Sequence, residues 1–320
     1  MVTLTPTFGE RKGDMTGPAP WRPLPGVLQV LEPGLRCILA GNPSPLTGPG
    51  TNSYLIGAND LVVIDPGPDD PRHHAALLEA VPPGGAIRQI IVTHPHLDHS
   101  AGTLALARAT GAPVMGFGDA YAGQSAAMQA LDLTGDLGGG EGMDLAFRPD
   151  IKLGDGAGAD TAAGPVEALW TPGHAASHLC LGWRGVLFSG DLVMGWSTSL
   201  ISPPDGDLAA YRASLARLAG RAGDRRYYPG HGAPVADPQA RLAALVAHRA
   251  GREARVLAAL GPDFASIADL TAQAYADTPP ALHAAAARNL LAHLLDLTAR
   301  SQAEPDRPPG FSARYRRAGP

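Results

Sequence analysis

Thr93-His94-Pro95-His96-Leu97-Asp98-His99 sets four metal-ligating side chains within six positions, directly after the apolar run QIIVT. His94 and His96 stand two apart, so on an extended backbone both imidazoles project to the same side. Asp98 and His99 follow where the chain turns into a helix. One ion could take the two upstream imidazoles while a neighbouring ion takes Asp98 and His99. Neutral imidazole and carboxylate suit Zn2+ and, less selectively, Fe or Mn. Crowding such groups beside a buried strand is costly unless a cation compensates it.

Three later segments have the same design. Thr171-Pro172-Gly173-His174, Ser189-Gly190-Asp191 and Pro229-Gly230-His231-Gly232 each follow a short apolar run. Each sets one ligand type at a strand end, beside a glycine that lets backbone approach closely. Seven ligands from four segments satisfy two metal ions that share one carboxylate and one hydroxide at about 3.5–4 Å separation. The other histidines read differently. His178 opens a strand near His174 and reads as a packing partner of the ligands. His73 and His74 read as surface residues, and His248, His283 and His293 as structural residues of C-terminal helices. Cys180 alternates with Leu179 and Leu181 and reads as core. No G-x-S-x-G elbow, phosphate-binding G-x-x-x-x-G-K-[ST] loop or G-x-G-x-x-G turn between strand and helix is present. Gly138-Gly139-Gly140 reads as a lid rather than a phosphate cradle.

The elements that must position these groups are short. Residues 27–30, 35–39, 52–56 and 61–64 alternate with Gly, Pro and Asn and predict consecutive strands. Residues 73–81 predict a helix, 89–93 a buried strand, 100–110 a helix and 113–117 a strand. The strand pattern resumes at 166–170, 178–183 and 186–189. A helix at 208–218 and a strand at 226–228 follow. From Asp237 the texture changes to helices only, at 238–260, 267–275 and 282–297, with the last 20 residues a small hairpin or disordered. Segments 135–142 and 154–164 are glycine-rich loops. The expected organisation is a loose lead-in (1–24), a catalytic domain (25–236) and a helical module (237–320).

Composition narrows the function classes. The chain has 320 residues, 45% of them hydrophobic, which is enough for a real core. Up to residue 236 there are 15 Lys+Arg against 22 Asp+Glu; after it, 10 against 8. That small basic excess, with Arg249, Arg252, Arg255, Arg314, Arg316 and Arg317, is either a phosphate-facing surface or a solvated face. Only Cys37 and Cys180 are cysteines, which fits a reduced, cytoplasmic compartment. No apolar h-region and no run of 18 apolar residues occur, so neither a signal peptide nor a membrane span is expected.

In this order, HxHxDH, TPGH, SGD and PGHG resemble the metallo-β-lactamase superfamily, over roughly residues 25–235. TNSYLIG (51–57) and VVIDPG (62–67) are similar to strands of that family. The resemblance implies an α/β fold: an αββα metallo-β-lactamase sandwich with its site at one edge of two facing sheets, followed by a small helical winged-helix-like module. It implies that His94, His96 and His174 hold one metal, that Asp98, His99 and His231 hold the second, and that Asp191 bridges. Asp191 stands where zinc β-lactamases of the superfamily carry Cys, which argues against antibiotic hydrolysis. The glyoxalase II branch shares all seven ligands, but its glutathione-binding basic and tyrosine residues have no counterpart. The lactonase branch's Tyr after the bridging Asp is replaced by Leu192-Val193-Met194-Gly195. The beta-lactamase-like protein 2 branch resembles the chain most, through AHRAGREARVLAAL (247–260) and TPPALHAAAARNLLAHLLDL (278–297). Its eukaryotic members are regarded as single-strand endoribonucleases, and many bacterial ones simply as metallohydrolases.

The expectation is therefore a dinuclear metallohydrolase with two divalent ions, foremost Zn2+ (Fe or Mn possible). A metal-bridging hydroxide attacks an ester, thioester or phosphodiester, with Asp98 and Asp191 as catalytic carboxylates. The partner is a small-molecule ester or thioester, or single-stranded RNA. Competing readings are a single-strand endoribonuclease, a glyoxalase II-like thioesterase or lactonase, a di-iron redox protein, and a winged-helix module serving nucleic-acid binding or homodimerisation. The redox reading lacks the flavin domain such proteins carry. Duplex DNA and membranes are not expected partners.

Overall fold

The computed structural model describes residue 21 and residues 23–132 and 142–319. Most of the lead-in and the Gly138-Gly139-Gly140 segment lie outside the described residues. Among the described ones, a first sheet orders β1 (Gln29–Glu32), β2 (Leu35–Leu39), β3 (Asn52–Ile56), β4 (Asp60–Ile64), β5 (Ala86–Ile91), β6 (Val114–Gly116) and β7 (Ile151–Lys152) side by side. Neighbours are antiparallel up to β4 and parallel from β4 to β7. A second sheet runs from β8 (Gly158–Ala159) through β9 (Val166–Trp170), β10 (Leu179–Trp183) and β11 (Val186–Gly190) to β12 (Arg226–Pro229).

Alternation along these strands builds three layers of core, because successive side chains leave opposite faces. Cys37, Tyr54, Ile56, Val62 and Ile64 point inward to meet Leu179, Leu181, Val186 and Phe188 of the second sheet. Their neighbours Ile38, Leu55, Leu61 and Val63 point outward onto α1 (Pro71–Glu79) and α3 (Thr103–Thr110). On the other flank, Leu169, Cys180, Leu187 and Tyr227 meet α5 (Leu208–Ala219) and the first half of α6 (Pro238–Ala259). The result is the αββα sandwich. Asp70, Asp207 and Asp237 cap α1, α5 and α6 by accepting from free backbone N–H groups.

Three expectations need correction. The helix expected at 100–110 is two pieces, α2 (Leu97–Ser100) and α3, broken at Ala101–Gly102. A Cβ on Gly102 would lie 2.6 Å from His74 Nε2, so the break brings backbone against a buried ring. His73 and His74 are accordingly buried rather than on the surface; His73 Nε2 pairs with Ser53 Oγ at 2.7 Å and His74 Nε2 with the Pro68 carbonyl at 3.1 Å. Third, the C-terminal region is not helices only. Between α6, α7 (Ile267–Ala274) and α8 (His283–Ala299) it adds a sheet in which β15 (Arg314–Arg317) pairs antiparallel with both β13 (Ala265–Ser266) and β14 (Ala303–Pro305). Helices followed by a wing hairpin make a winged helix. Its core, with Leu270, Leu290, Leu294 and Tyr315, also takes Met128 and Leu131 from α4 (Ala126–Asp132).

His293 on α8 is fully buried, and neither ring nitrogen has a hydrogen-bond partner. Burial, reinforced by Arg249 and Arg212 and opposed by Glu253, pushes its pKa down to about 3. An unfolded histidine titrates near 6.5. Below that pH the unfolded chain takes up a proton that the folded chain refuses, so this contribution to stability is complete above about pH 6.5 and declines as pH falls, by at most about 1.4 kcal/mol per pH unit. His293→Leu is therefore expected to flatten the acid limb of the denaturation-midpoint-versus-pH curve. Parallel curves for parent and variant would contradict this account.

Candidate metal centre

Both sheets end at one rim, and the rim is stitched by backbone. Leu179 N donates to Thr93 O (2.8 Å), and Asn52 N to Gly230 O (2.7 Å). The Asn52 amide also donates to Pro229 O and Gly232 O, and Tyr54 OH to Pro229 O at 2.7 Å. β5 delivers His94, His96, Asp98 and His99 to this rim; β9, β11 and β12 deliver His174, Asp191 and His231. Gly230 carries no side chain because a Cβ there would lie 2.4 Å from Asp191 Oδ1 and 2.5 Å from His99 Cε1.

All seven predicted residues come together. Their donor atoms fall into three groups able to hold an ion, each spanning no more than 4.8 Å: His94–His96–His174, His94–His99–Asp191 and Asp98–His99–His231. His96 Nδ1 lies 3.0 Å from His174 Nε2, and His99 Nε2 lies 3.4 Å from His231 Nε2. Asp191 stands between the two ends, with Oδ2 3.7 Å from His174 Nε2 and 3.2 Å from His231 Nε2. Asp98 Oδ2 is 3.2 Å from His231 Nε2 and accepts from Thr51 Oγ1 at 3.1 Å. His94 Nε2 and Asp191 Oδ1 are buried with no hydrogen-bond partner. Imidazole nitrogens and carboxylate oxygens turned towards one another at such distances fit a shell for divalent cations.

Each ring's other nitrogen points out of the cluster. His99 Nδ1 meets Asp65 Oδ2 (2.9 Å), His174 Nδ1 the Leu200 carbonyl (2.8 Å), His231 Nδ1 the Gly50 carbonyl (3.1 Å) and His96 Nε2 the Asp205 carboxylate (2.8 Å). Thr93 Oγ1 donates to Asp65, so at 3.0 Å it accepts from His94 Nδ1. Each partner fixes the orientation of its ring and turns the other nitrogen into the cluster. His178 lies beside the shell. Its Nδ1 meets Thr171 Oγ1 and its Nε2 accepts from Asp191 N at 3.2 Å, so it holds the Asp191 backbone.

Sequence reasoning missed Asp65, Asp205 and Thr51. Asp65 had a signal: an acid directly after the buried strand β4. It adopts φ +53°, a strained conformation for a non-glycine residue, and four bonds hold it there, including Thr93 N to Oδ1 at 2.7 Å. Asp205 had none, because nothing local marks it as facing His96.

The carboxylates set the electrostatics. Burial alone lowers the pKa of His231, but Asp191 and Asp98 hold it up at about 9. Burial likewise opposes a charged His99, yet Asp98, Asp191 and Asp65 hold it well above the ordinary histidine value. His94 is driven the other way, by burial and then by its cationic neighbours. Asp191 stays ionised despite burial because His231 and His99 face it. The facing carboxylates thus favour positive charge at this end of the site.

The shell opens into a cavity of about 980 Å³. His96, Asp98, His174, Asp191 and His231 form one end, and Leu46, Met143, Leu145 and Met194 are among its apolar walls. The winged-helix region closes the other side with Arg249, Arg252, Tyr275 and Asn289. The arginines expected as one surface have separate intramolecular partners. Arg249 donates to the Ser199 carbonyl, Arg252 to Ala274 O, Arg255 to Asp277, Arg314 to Asp306, Arg316 to Glu304 and Arg317 to Leu257 O.

A family model described as the metallo-beta-lactamase superfamily matches residues 46–231. The chain belongs to that superfamily, and it is a hydrolase. Its organisation is more particular. A second model, the beta-lactamase associated winged helix domain, matches residues 266–307. Among similar proteins, the "Lactamase-like protein adaB" of Aspergillus niger is 32% identical, over 74% of this chain and 67% of its own length. The "Beta-lactamase-like protein 2 homolog" of Drosophila melanogaster is 29% identical over 86% of this chain and 90% of its own. The "Atrochrysone carboxyl ACP thioesterase" of Aspergillus fumigatus is 29% identical over 73% and 67%. A metallo-beta-lactamase family protein from Thermus thermophilus superposes with a TM-score of 0.72 at 26% identity, covering 90% of this chain and 100% of that one. No helix among the described residues is long and apolar enough to cross a membrane.

The Gly230 contact yields a direct test. Gly230→Ala must push Asp191 or His99 aside, which costs about 1–3 kcal/mol. The expected result is a lower chemical-denaturation midpoint; an unchanged midpoint would mean that the rim has slack there.

Proposed function

We propose that the chain is a dinuclear metal-dependent hydrolase of small-molecule esters or thioesters. His94, His96 and His174 hold one ion, Asp98, His99 and His231 the other, and Asp191 lies between both. The carrying observation is geometric: the five rings each meet a partner outside the cluster through one nitrogen and turn the other inward, towards one another, Asp98 and Asp191. Histidine and carboxylate donors suit Zn2+, with Fe or Mn as alternatives. Two such cations supply a nucleophilic hydroxide at neutral pH and neutralise charge on the attacked carbonyl.

The chain's own groups do the rest. Asp98 faces the cavity, is steadied by Thr51, and orients the nucleophile or accepts its proton. Asp191 is pinned through its backbone by His178. The cavity is of the size that takes a drug-sized organic molecule, with apolar walls beside the ligands. The thioesterase name of one relative favours a thioester. Internally partnered arginines favour a small molecule over single-stranded RNA as substrate. We assign residues 25–236 to the catalytic part and 237–320 to the module, with α6 shared between their cores. A cytoplasmic location fits the buried, unpaired thiols of Cys37 and Cys180.

Metal analysis of the purified protein is expected to return two ions per chain. Because loss of a group that merely orients a ligand costs roughly 10–100-fold, Asp191→Ala should lose at least one ion and more than about 100-fold in turnover. Full activity with unchanged metal would end the assignment of Asp191. A panel of a glutathione thioester, a lactone, bis-p-nitrophenyl phosphate and single-stranded RNA, each at low and high salt, decides the substrate. Thioester or ester cleavage that ignores salt is expected. RNA cleavage falling steeply with salt would replace this reading with an endoribonuclease.

A further inference from the structure

The segment between β11 and α5, residues 191–207, has an unusual set of partners. Towards the site, its Leu200 carbonyl accepts from His174 Nδ1 at 2.8 Å and its Asp205 Oδ2 from His96 Nε2 at 2.8 Å. These are the two rings that face each other at 3.0 Å in the first ligand group. Away from the site, the same segment is gripped by the C-terminal helices. From α6, Arg241 donates to Met194 O (2.7 Å) and Ser197 O (2.6 Å), and Arg249 to Ser199 O. From α8, Asn289 Oδ1 accepts from Ile201 N at 3.1 Å and from Arg249 Nη1 at 3.2 Å. Ile201 directly follows the residue whose carbonyl orients His174.

Resting on the reading of His96 and His174 as ligands, we infer that Asp205 and Asn289 are positioning residues for one of the two ions, and that α6 and α8 act as a brace for that half of the site. The chemistry is that of an oriented imidazole. A carbonyl or carboxylate on the outer nitrogen keeps the inner lone pair aimed, and it raises the basicity of the ring. An acceptor on a loop does this only if the loop holds still. The 191–207 segment is largely irregular, and the contacts above fix its backbone at Met194, Ser197, Ser199 and Ile201. Arg249 is buried, so its grip on Ser199 is not exchanged for water. The second ligand group leans on the segment only through backbone, where Trp196 Nε1 donates to the His231 carbonyl at 3.2 Å. His99 and His231 lean on Asp65 and on the Gly50 carbonyl, both carried by the first sheet's side of the rim. The coupling is therefore unequal: among the ligand rings, the segment orients only His174 and His96, so disturbing α8 acts chiefly on their ion.

The test is Zn2+ binding to the full chain, measured by competition with a chromogenic chelator, with circular dichroism as a check on folding. The parent is expected to bind two equivalents. Asp205→Ala should weaken one of them by roughly 10–100-fold and leave the other unchanged. Asn289→Ala, on a helix of the neighbouring module, should weaken the same equivalent by about tenfold, while Asn289→Asp, which keeps the acceptor, should restore it. Arg241→Ala tests the brace from α6 if Asn289→Ala does not fold. Folded variants that keep both affinities, or lose both equally, overturn the inference. A parent that binds no Zn2+ instead overturns the proposed function, so the two failures are distinguishable.

Discussion

Ionised carboxylates and imidazoles packed at a dry rim repel, desolvate and compete for protons, and the rest of this molecule is arranged to tolerate them. Asp65, Asp98 and Asp191 converge on His99, and Asp98 and Asp191 on His231, at distances of 2.9–3.5 Å. Buried charges of this kind persist only when paired or bound to a cation. Pairing is incomplete here, since Asp191 Oδ1 and His94 Nε2 find no hydrogen bond. The deficit sits at the middle of the cluster, where a cation would contact both atoms.

Holding that cluster requires two sheets to end at the same place. A single sheet would present the ligands in a row; two facing sheets present them as opposite walls. The stitching by Asn52, Tyr54 and Leu179 makes the walls one rigid frame, because every bond crosses from one sheet to the other. Glycine at 230 then lets the β12 end approach Asp191 without a collision. Tyr54 packs against Phe188 and Tyr228 in the inner core just beneath, at centroid distances of 5.1 and 5.7 Å. The frame is thus continuous from hydrophobic core to ligand shell.

Seven ligands and nearly every strand of the sandwich were legible in the sequence, because both signals are local. A ligand after an apolar run needs only its neighbours to be noticed, and strand periodicity needs only a few residues. What was not legible depends on partners far away in the chain. Asp205 meets His96 across 109 positions, and nothing near Asp205 announces it. His73 and His74 look like a polar helix start, yet Ser53 and the Gly102 break draw them inside. The hairpin expected in the last 20 residues is present as β14 and β15, whereas β13, only two residues long, is too short to carry a period. Whether the arginines make a phosphate-facing or a solvated face stayed open, because sequence shows charge without showing which carboxylate or carbonyl takes it up.

That last point decides what the C-terminal region contributes. A nucleic-acid surface needs cations that are free to meet phosphates and release counterions. Here Arg255, Arg314 and Arg316 are spent on Asp277, Asp306 and Glu304, while Arg249 is buried against the site loop. Arg252 lies over the Tyr275 ring, 4.1 Å from its centroid, and donates inward to Ala274 O. Of these side chains, Arg249 and Arg252 line the cavity, and Arg249 also holds the 191–207 segment. The winged-helix region is thus one wall of the cavity and, through Arg249, touches the site loop, while Arg255, Arg314 and Arg316 are paired within the module itself.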